Sequence, residues 1–143
     1  MSRHLRARLL YLALALATIA VGLVVHLRGT SLSPAIRDVL GDALWAMMMT
    51  WCISTIAPTV RLPRRGATAL AVSWAVELSQ LYHTPAVDAL RATTLGHLVL
   101  GTDFDARDLA AYALGVLGAM VLDRTFITRY AARVSARPQG PVS

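Results

Sequence analysis

Four long apolar runs, separated by segments that carry arginines, constrain the fold of this chain more than any other feature. Each run approaches the ~20 residues that a helix needs to cross the hydrocarbon core of a bilayer. A helix is the natural solution in lipid because it satisfies its own backbone groups, and these runs lack the alternation of barrel strands. The predicted spans are residues 9–27, 39–60, 67–83 and 109–127.

The composition agrees with an exterior that faces lipid. Hydrophobic residues make up 56% of the 143-residue chain and charged residues only 15%, against about 25% charged residues in an average soluble domain. A soluble chain of this length would have too much surface to cover with so few charges. We therefore predict one transmembrane domain over residues 1–133, followed by a flexible cytoplasmic tail over residues 134–143.

The arginines orient the predicted spans. All 14 basic residues are arginine, and ten of them flank the spans on the side that holds both termini, against four on the other side. Because basic residues accumulate on the cytoplasmic side, both termini are predicted to be cytoplasmic. The net charge of +6 then reflects topology, and no nucleic-acid partner is expected. The predicted fold is an all-α integral membrane protein of the bacterial plasma membrane, with four transmembrane helices.

The segment between the third and fourth spans, residues 84–107, is unusually long and only moderately polar. Its stretch 95–100 reads Leu-Gly-His-Leu-Val-Leu. A connection of this length and character is expected to lie partly in the membrane interface or to re-enter the bilayer.

Polar side chains recur at spacings of three or four residues inside the runs, which places them on single helix faces. On the third helix we predict such a face for Ser73, Glu77, Gln80 and Thr84. Aspartates follow the same spacing at the starts of the second and fourth helices, so that three polar faces converge toward the outer leaflet. The candidate ligand-binding residues are Arg37, Asp42, Glu77, Gln80, Arg91, Asp105, Asp108 and Tyr112.

Several roles for this polar site remain open at the level of sequence. It could bind a lipid-linked or cell-envelope headgroup, or relay protons or cations through Glu77 and Asp42 in a transporter that works as a homodimer. It could also be structural, with Glu77 paired to Arg91 or Arg37 to fix the helix register. Aspartates just before the last helix also favour its N-terminal dipole.

A membrane enzyme is the least favoured alternative, because the sequence carries no phosphate-binding loop and no hydrolase or metalloprotease motif. The single cysteine, Cys52, excludes an intramolecular disulfide and a cysteine-based metal site. We therefore assign no catalytic residue, no metal and no cofactor. The expected partners are membrane lipids, with a lipid-linked ligand and a second copy of the chain as further candidates.

The stretches 76–81, 90–96 and 100–115, together with residues 36–42, resemble a family of small bacterial inner-membrane proteins. That family is catalogued as a domain of unknown function and is sometimes labelled a ribosomal maturation family. A more distant resemblance is to VanZ-like proteins, which are associated with the cell envelope. Their E-x-x-Q helix and aspartate-led last helix are matched by Glu77, Gln80, Asp108 and Gly115, while Tyr112 stands where an asparagine is usual. Both resemblances imply a membrane protein, and the second implies a role in the envelope.

Overall fold

A computed structural model describes residues 2–101 and 103–127, and this part of the chain is helical without any β-strand. The all-α prediction is therefore confirmed. A π-helical segment, Asp123–Ile127, continues directly from the last helix, and the predicted tail 134–143 lies outside the described residues. The helices are α1 (Arg3–Arg28), α2 (Pro34–Ile56), α3 (Leu62–Ser79), α4 (Pro85–Arg91), α5 (Thr94–Leu100) and α6 (Ala106–Leu122).

Local sequence sets where the helices begin. The side chains of Ser2, Ser33 and Thr84 each accept a hydrogen bond from a backbone N–H in the first turn of α1, α2 and α4. A proline stands in the first turn of α2, α3 and α4, where its missing N–H is not needed. Thr84 therefore caps α4, and does not continue the polar face of α3 as its spacing predicted.

The four long helices form an antiparallel bundle. Helix α2 packs against α1, α3 and α6, and α3 also packs against α6. The backbones of α2 and α6 approach closely at Gly115, where a Cβ atom would collide with the carbonyl group of Ala43. Two buried apolar clusters fill the bundle, one of Tyr11, Ala15, Trp51 and Ala119, and one of Ala46, Ala69, Tyr112 and Val116.

The alternating direction of the helices gives the bundle two distinct ends. We call one the Asp123 end; it holds the beginnings of α1 and α3 and the ends of α2 and α6. We call the other the Glu77 end; it holds the opposite termini of these helices and the short helices α4 and α5. The connection between α3 and α6 therefore contains two short helices, α4 and α5.

The exterior of the bundle is strongly apolar. Helices α1 and α2 are each long and apolar enough to cross a membrane, and only 17% and 22% of their most apolar windows are buried. The core helix of a soluble protein would be mostly buried, so this exposure favours membrane association. Helices α3 and α6 are shorter, at 18 and 17 residues, but they too expose large apolar side chains, among them Leu78, Leu114, Leu117 and Val121.

Candidate functional site

The carboxylate of Glu77 lies at the centre of a buried hydrogen-bond network at the Glu77 end. Its side chain is 0% exposed. Its Oε2 accepts hydrogen bonds from the hydroxyl of Tyr112 at 2.9 Å and from the amide Nε2 of Gln80 at 3.1 Å. Its Oε1 accepts one from the backbone N–H of Asp105 at 2.8 Å. We call these four residues the Glu77 network; it ties the end of α3 to the beginning of α6 through neutral donors.

The helical spacing identified in the sequence explains how the network forms. Ser73, Glu77 and Gln80 all lie on the buried face at the end of α3, as their spacing predicted. Tyr112 reaches Glu77 from the second turn of α6, across the interface of the two helices. Within the described residues, the hydroxyl of Ser73 and the Oε1 atom of Gln80 have no hydrogen-bond partner.

Arg91 lies at the same end but does not contact Glu77. The guanidinium is 4% exposed, and it donates to the carbonyl oxygens of Ser79 at 2.6 Å and Tyr82 at 3.0 Å. Its Nη1 also lies 3.5 Å from an oxygen of Asp88. Arg91 therefore donates to the last carbonyl of α3 and to one carbonyl of the turn that follows it, and so attaches α4 to the bundle. The ion pair between Glu77 and Arg91, which the sequence left open, is not formed.

A polar cavity of about 560 Å³ opens beside the Glu77 network, between α1, α2 and the segment that leads into α6. Its volume is in the range of small-molecule sites, roughly 300–1,000 Å³. Acidic side chains outnumber basic ones in its wall, so hydroxyl or ammonium groups would find many acceptors there. The charged and titratable lining residues are His26, Arg37, Asp38, Asp42, Asp103, Asp105 and Asp108.

The structure thus divides the predicted site residues into three groups. Four of them, Arg37, Asp42, Asp105 and Asp108, line the cavity. Glu77, Gln80 and Tyr112 are the other members of the Glu77 network and lie behind the wall. Arg91 stands apart at the end of α3. Among the described residues, no group of three or more histidine, cysteine or acidic side chains could hold a metal ion.

Asp105 connects the cavity to the network. Its side chain caps α6 by accepting a hydrogen bond from the N–H of Arg107 at 2.9 Å, and it also contributes to the cavity wall. Its own N–H is the donor to Glu77. The position of Asp105 in the acidic wall therefore depends on the buried carboxylate of Glu77, which does not itself face the cavity.

Gly101 forms another part of the wall, and two features favour glycine at this position. Its φ angle is +65°, in the left-handed region. A Cβ atom at this position would also lie 2.5 Å from Nε2 of Gln80. Gln80 therefore supports the wall from behind while it donates to Glu77.

A second buried polar group, at the Asp123 end, was not identified from the sequence. The carboxylate oxygen Oδ2 of Asp123 accepts a hydrogen bond from the hydroxyl of Tyr11 at 2.9 Å and lies 3.3 Å from Nη2 of Arg65. The Arg65 guanidinium stacks 5.0 Å from the centre of the Tyr11 ring, which in turn stacks on Trp51 at 6.1 Å. We call these four residues the Asp123 cluster. The available signal was that Asp123 is the one acid among the many arginines assigned to that side.

The chain is thus a small all-α protein with an apolar exterior, a buried carboxylate network and a polar cavity at one end. It belongs to the family described as "Protein of unknown function (DUF2809)", which matches residues 31–116. The match confirms the resemblance to a domain of unknown function. It includes the Glu77 network and the aspartates of the cavity, whereas Tyr11 and Asp123 fall outside it. No solved structure matches the chain.

Proposed function

We propose that the chain is a multi-pass plasma-membrane protein that binds a lipid-linked or cell-envelope headgroup in its polar cavity. In this proposal α1, α2, α3 and α6 cross the bilayer, and both termini are cytoplasmic. The apolar exterior supports the membrane location. The excess of arginines in the segments assigned to the Asp123 end supports the orientation, since basic residues accumulate on the cytoplasmic side.

Helix length is compatible with four spans. Helix α3 has 18 residues and α6 continues through the π-helical segment to residue 127, which corresponds to about 27 Å or more at 1.5 Å per residue. The charged residues of α3 lie near its two ends, as a span requires, and Glu77 is shielded from lipid by its complete burial. Helices α4 and α5 would then lie at the outer surface.

The acid-lined cavity is the observation that carries the ligand proposal. A headgroup with hydroxyl or ammonium groups would donate to the aspartates of α2 and α6, while Arg37 offers a partner for a phosphate oxygen. A cavity that is open at the outer end of a membrane bundle is reached by a headgroup in the adjacent leaflet. The proposal involves binding alone, with no covalent step and no cofactor.

The test is to identify the envelope lipids that copurify with the protein in a mild detergent, using native mass spectrometry. The double variant Asp42→Asn with Asp108→Asn should retain at least about tenfold less of the bound species, since a charge-assisted hydrogen bond contributes roughly 1.5–3 kcal/mol. The matched control is Asp88→Asn, which removes an exposed acid at the same end outside the cavity wall. Equal retention by the double variant and the control would overturn the proposal.

A structural role for the Glu77 network is the second candidate, and one observation favours it. All three donors to the Glu77 carboxylate come from within the bundle. If the network only assembles the helices, substitutions at Glu77 should lower stability, while the cavity variants should leave both stability and lipid retention unchanged. The two sets of variants therefore distinguish a binding protein from an assembly factor.

A further inference from the structure

The Asp123 cluster joins every long helix of the bundle at one point. Tyr11 comes from α1, Trp51 from α2, Arg65 from the first turn of α3, and Asp123 directly follows α6. The contacts are the hydrogen bond, ion pair, cation–π contact and ring stack described above. A change at this cluster therefore affects all four helices at once.

The ion pair of the cluster is buried but poorly satisfied. The side chains of Arg65 and Asp123 are only 6% and 3% exposed, and a single nitrogen of Arg65 makes the contact. The Nε and Nη1 atoms of Arg65 are buried without a hydrogen-bond partner among the described residues. Buried donors without acceptors are unfavourable, and a buried ion pair often stabilises a fold less than apolar residues of the same size. The pair therefore stabilises this end of the bundle less than apolar side chains of the same size would.

Small side chains and a π-helical segment border the cluster. The buried apolar cluster beneath it contains two alanines, Ala15 and Ala119, beside the rings of Tyr11 and Trp51. Asp123 is the first residue of a π-helical segment, and such segments are frequent at functional sites. At the opposite end, the cavity is already open to its surroundings.

We infer that the Asp123 cluster is a releasable closure: the Asp123 end alternates between the closed arrangement seen here and one in which Arg65 and Asp123 separate. The inference concerns a second conformation of the bundle and does not depend on which ligand the cavity binds. Separation exposes both charges to water, which provides the missing hydrogen bonds of Arg65. In the closed state Tyr11 and Arg65 share the same carboxylate oxygen of Asp123.

The native Cys52 provides a reporter of this opening. It is the single cysteine of the chain and is partly buried. It packs against the buried apolar cluster that contains Tyr11 and Trp51. It lies four residues before the end of α2, so reagent reaching the Asp123 end meets it early. The experiment measures the rate at which a water-soluble maleimide labels Cys52 in lipid nanodiscs, where both faces of the bilayer are accessible.

The variants Arg65→Gln and Asp123→Asn should label at least about tenfold faster than the wild type, because each removes one charge of the buried ion pair and so weakens the closed state. The double variant Arg65→Met with Asp123→Leu replaces the pair by apolar side chains and should label more slowly than the wild type, since its open state no longer gains by the hydration of two charges. The matched control Arg64→Gln removes an exposed arginine of the same helical turn and should label like the wild type.

A purely static pair gives a different pattern. If the wild type and the double apolar variant label at the same rate, the wild type does not open and the inference is wrong. Wild-type rates in folded Arg65→Gln and Asp123→Asn would also overturn it. If either single variant does not fold, Tyr11→Phe keeps both charges, removes one hydrogen bond of the closure and should still label faster than the wild type; an unchanged rate there overturns the inference.

Discussion

The two ends of the bundle bury a carboxylate in different ways. Glu77 is surrounded by neutral donors, two side chains and one backbone N–H, with all three distances between 2.8 and 3.1 Å. Asp123 accepts from Tyr11 and pairs with the charged Arg65, which keeps unpaired donors of its own. A buried carboxylate that accepts from several neutral donors fixes the register of the helices that supply them. A buried carboxylate that pairs with a cation whose other donors are unsatisfied stabilises its arrangement less, so a second arrangement costs less free energy.

The two ends also differ in what they serve. The Glu77 network lies behind the wall of the cavity and positions it through Asp105 and Gly101. No cavity wall is shared with the Asp123 cluster, which holds together the end opposite the cavity. In the proposed protein the first would keep a binding site in shape, and the second would control the conformation of the whole bundle.

The largest expected effect comes from Glu77→Ala. This change leaves two buried side-chain donors and the partly buried N–H of Asp105 without an acceptor. Each buried group costs roughly 1–3 kcal/mol, so we expect the free energy of unfolding to fall by about 4–6 kcal/mol. Denaturation in mixed micelles, followed by helix content, measures the change. The control Glu77→Gln keeps one acceptor oxygen and should lose clearly less; equal losses would show that the network contributes little.

Asp123→Ala should follow, with a loss of about 3–5 kcal/mol, because it leaves the buried Arg65 without its counter-charge. The double variant Arg65→Met with Asp123→Leu should recover most of that loss, and the same unfolding assay measures both. No equivalent recovery is expected at the Glu77 end for Glu77→Leu, since the backbone N–H of Asp105 cannot be replaced. If Glu77→Leu also recovered most of the lost stability, the two ends would not differ in how they hold a buried carboxylate.

These two carboxylates also show what the sequence could and could not predict. The face of Ser73, Glu77 and Gln80 follows from helical periodicity, which is a local property. The pairing of Arg65 with Asp123 joins residues 58 positions apart, and Arg65 was already accounted for as a topological arginine. Nothing local distinguishes it from its exposed neighbour Arg64.

Helix ends and loop contacts were less predictable for a related reason. Helix α3 ends at Ser79, and Pro85 holds the preceding Thr84 in an extended conformation, which its polar spacing did not indicate. Arg91 was a candidate partner for Glu77, but the path of the chain after α3 brings it to backbone carbonyls and to Asp88. Both outcomes depend on the tertiary course of the connection between α3 and α6.

Gly101→Ala should have a smaller effect, confined to the Glu77 end. A non-glycine residue in the left-handed region costs about 1–2 kcal/mol, and the new methyl group would displace the amide of Gln80. We expect reduced lipid retention together with this loss of stability. The control Gly41→Ala introduces a methyl group into open space within a helix and should not lower stability, because alanine is the better helix former. Since Gly41 also lines the cavity, this variant is a control for stability alone.

The smallest effects should come from a matched pair of hydroxyl deletions, Tyr112→Phe and Tyr11→Phe. Each tyrosine donates to a buried carboxylate at 2.9 Å, so each change should lower stability by roughly 0.5–1.5 kcal/mol. Their effects on lipid retention and on the labelling of Cys52 should nevertheless differ between the Glu77 end and the Asp123 end. Tyr112→Phe should reduce lipid retention and leave the labelling rate of Cys52 unchanged, while Tyr11→Phe should raise that rate and leave lipid retention unchanged. If both variants changed both measurements equally, the two ends would form one cooperative unit, and the division between a positioning network and a releasable closure would not hold.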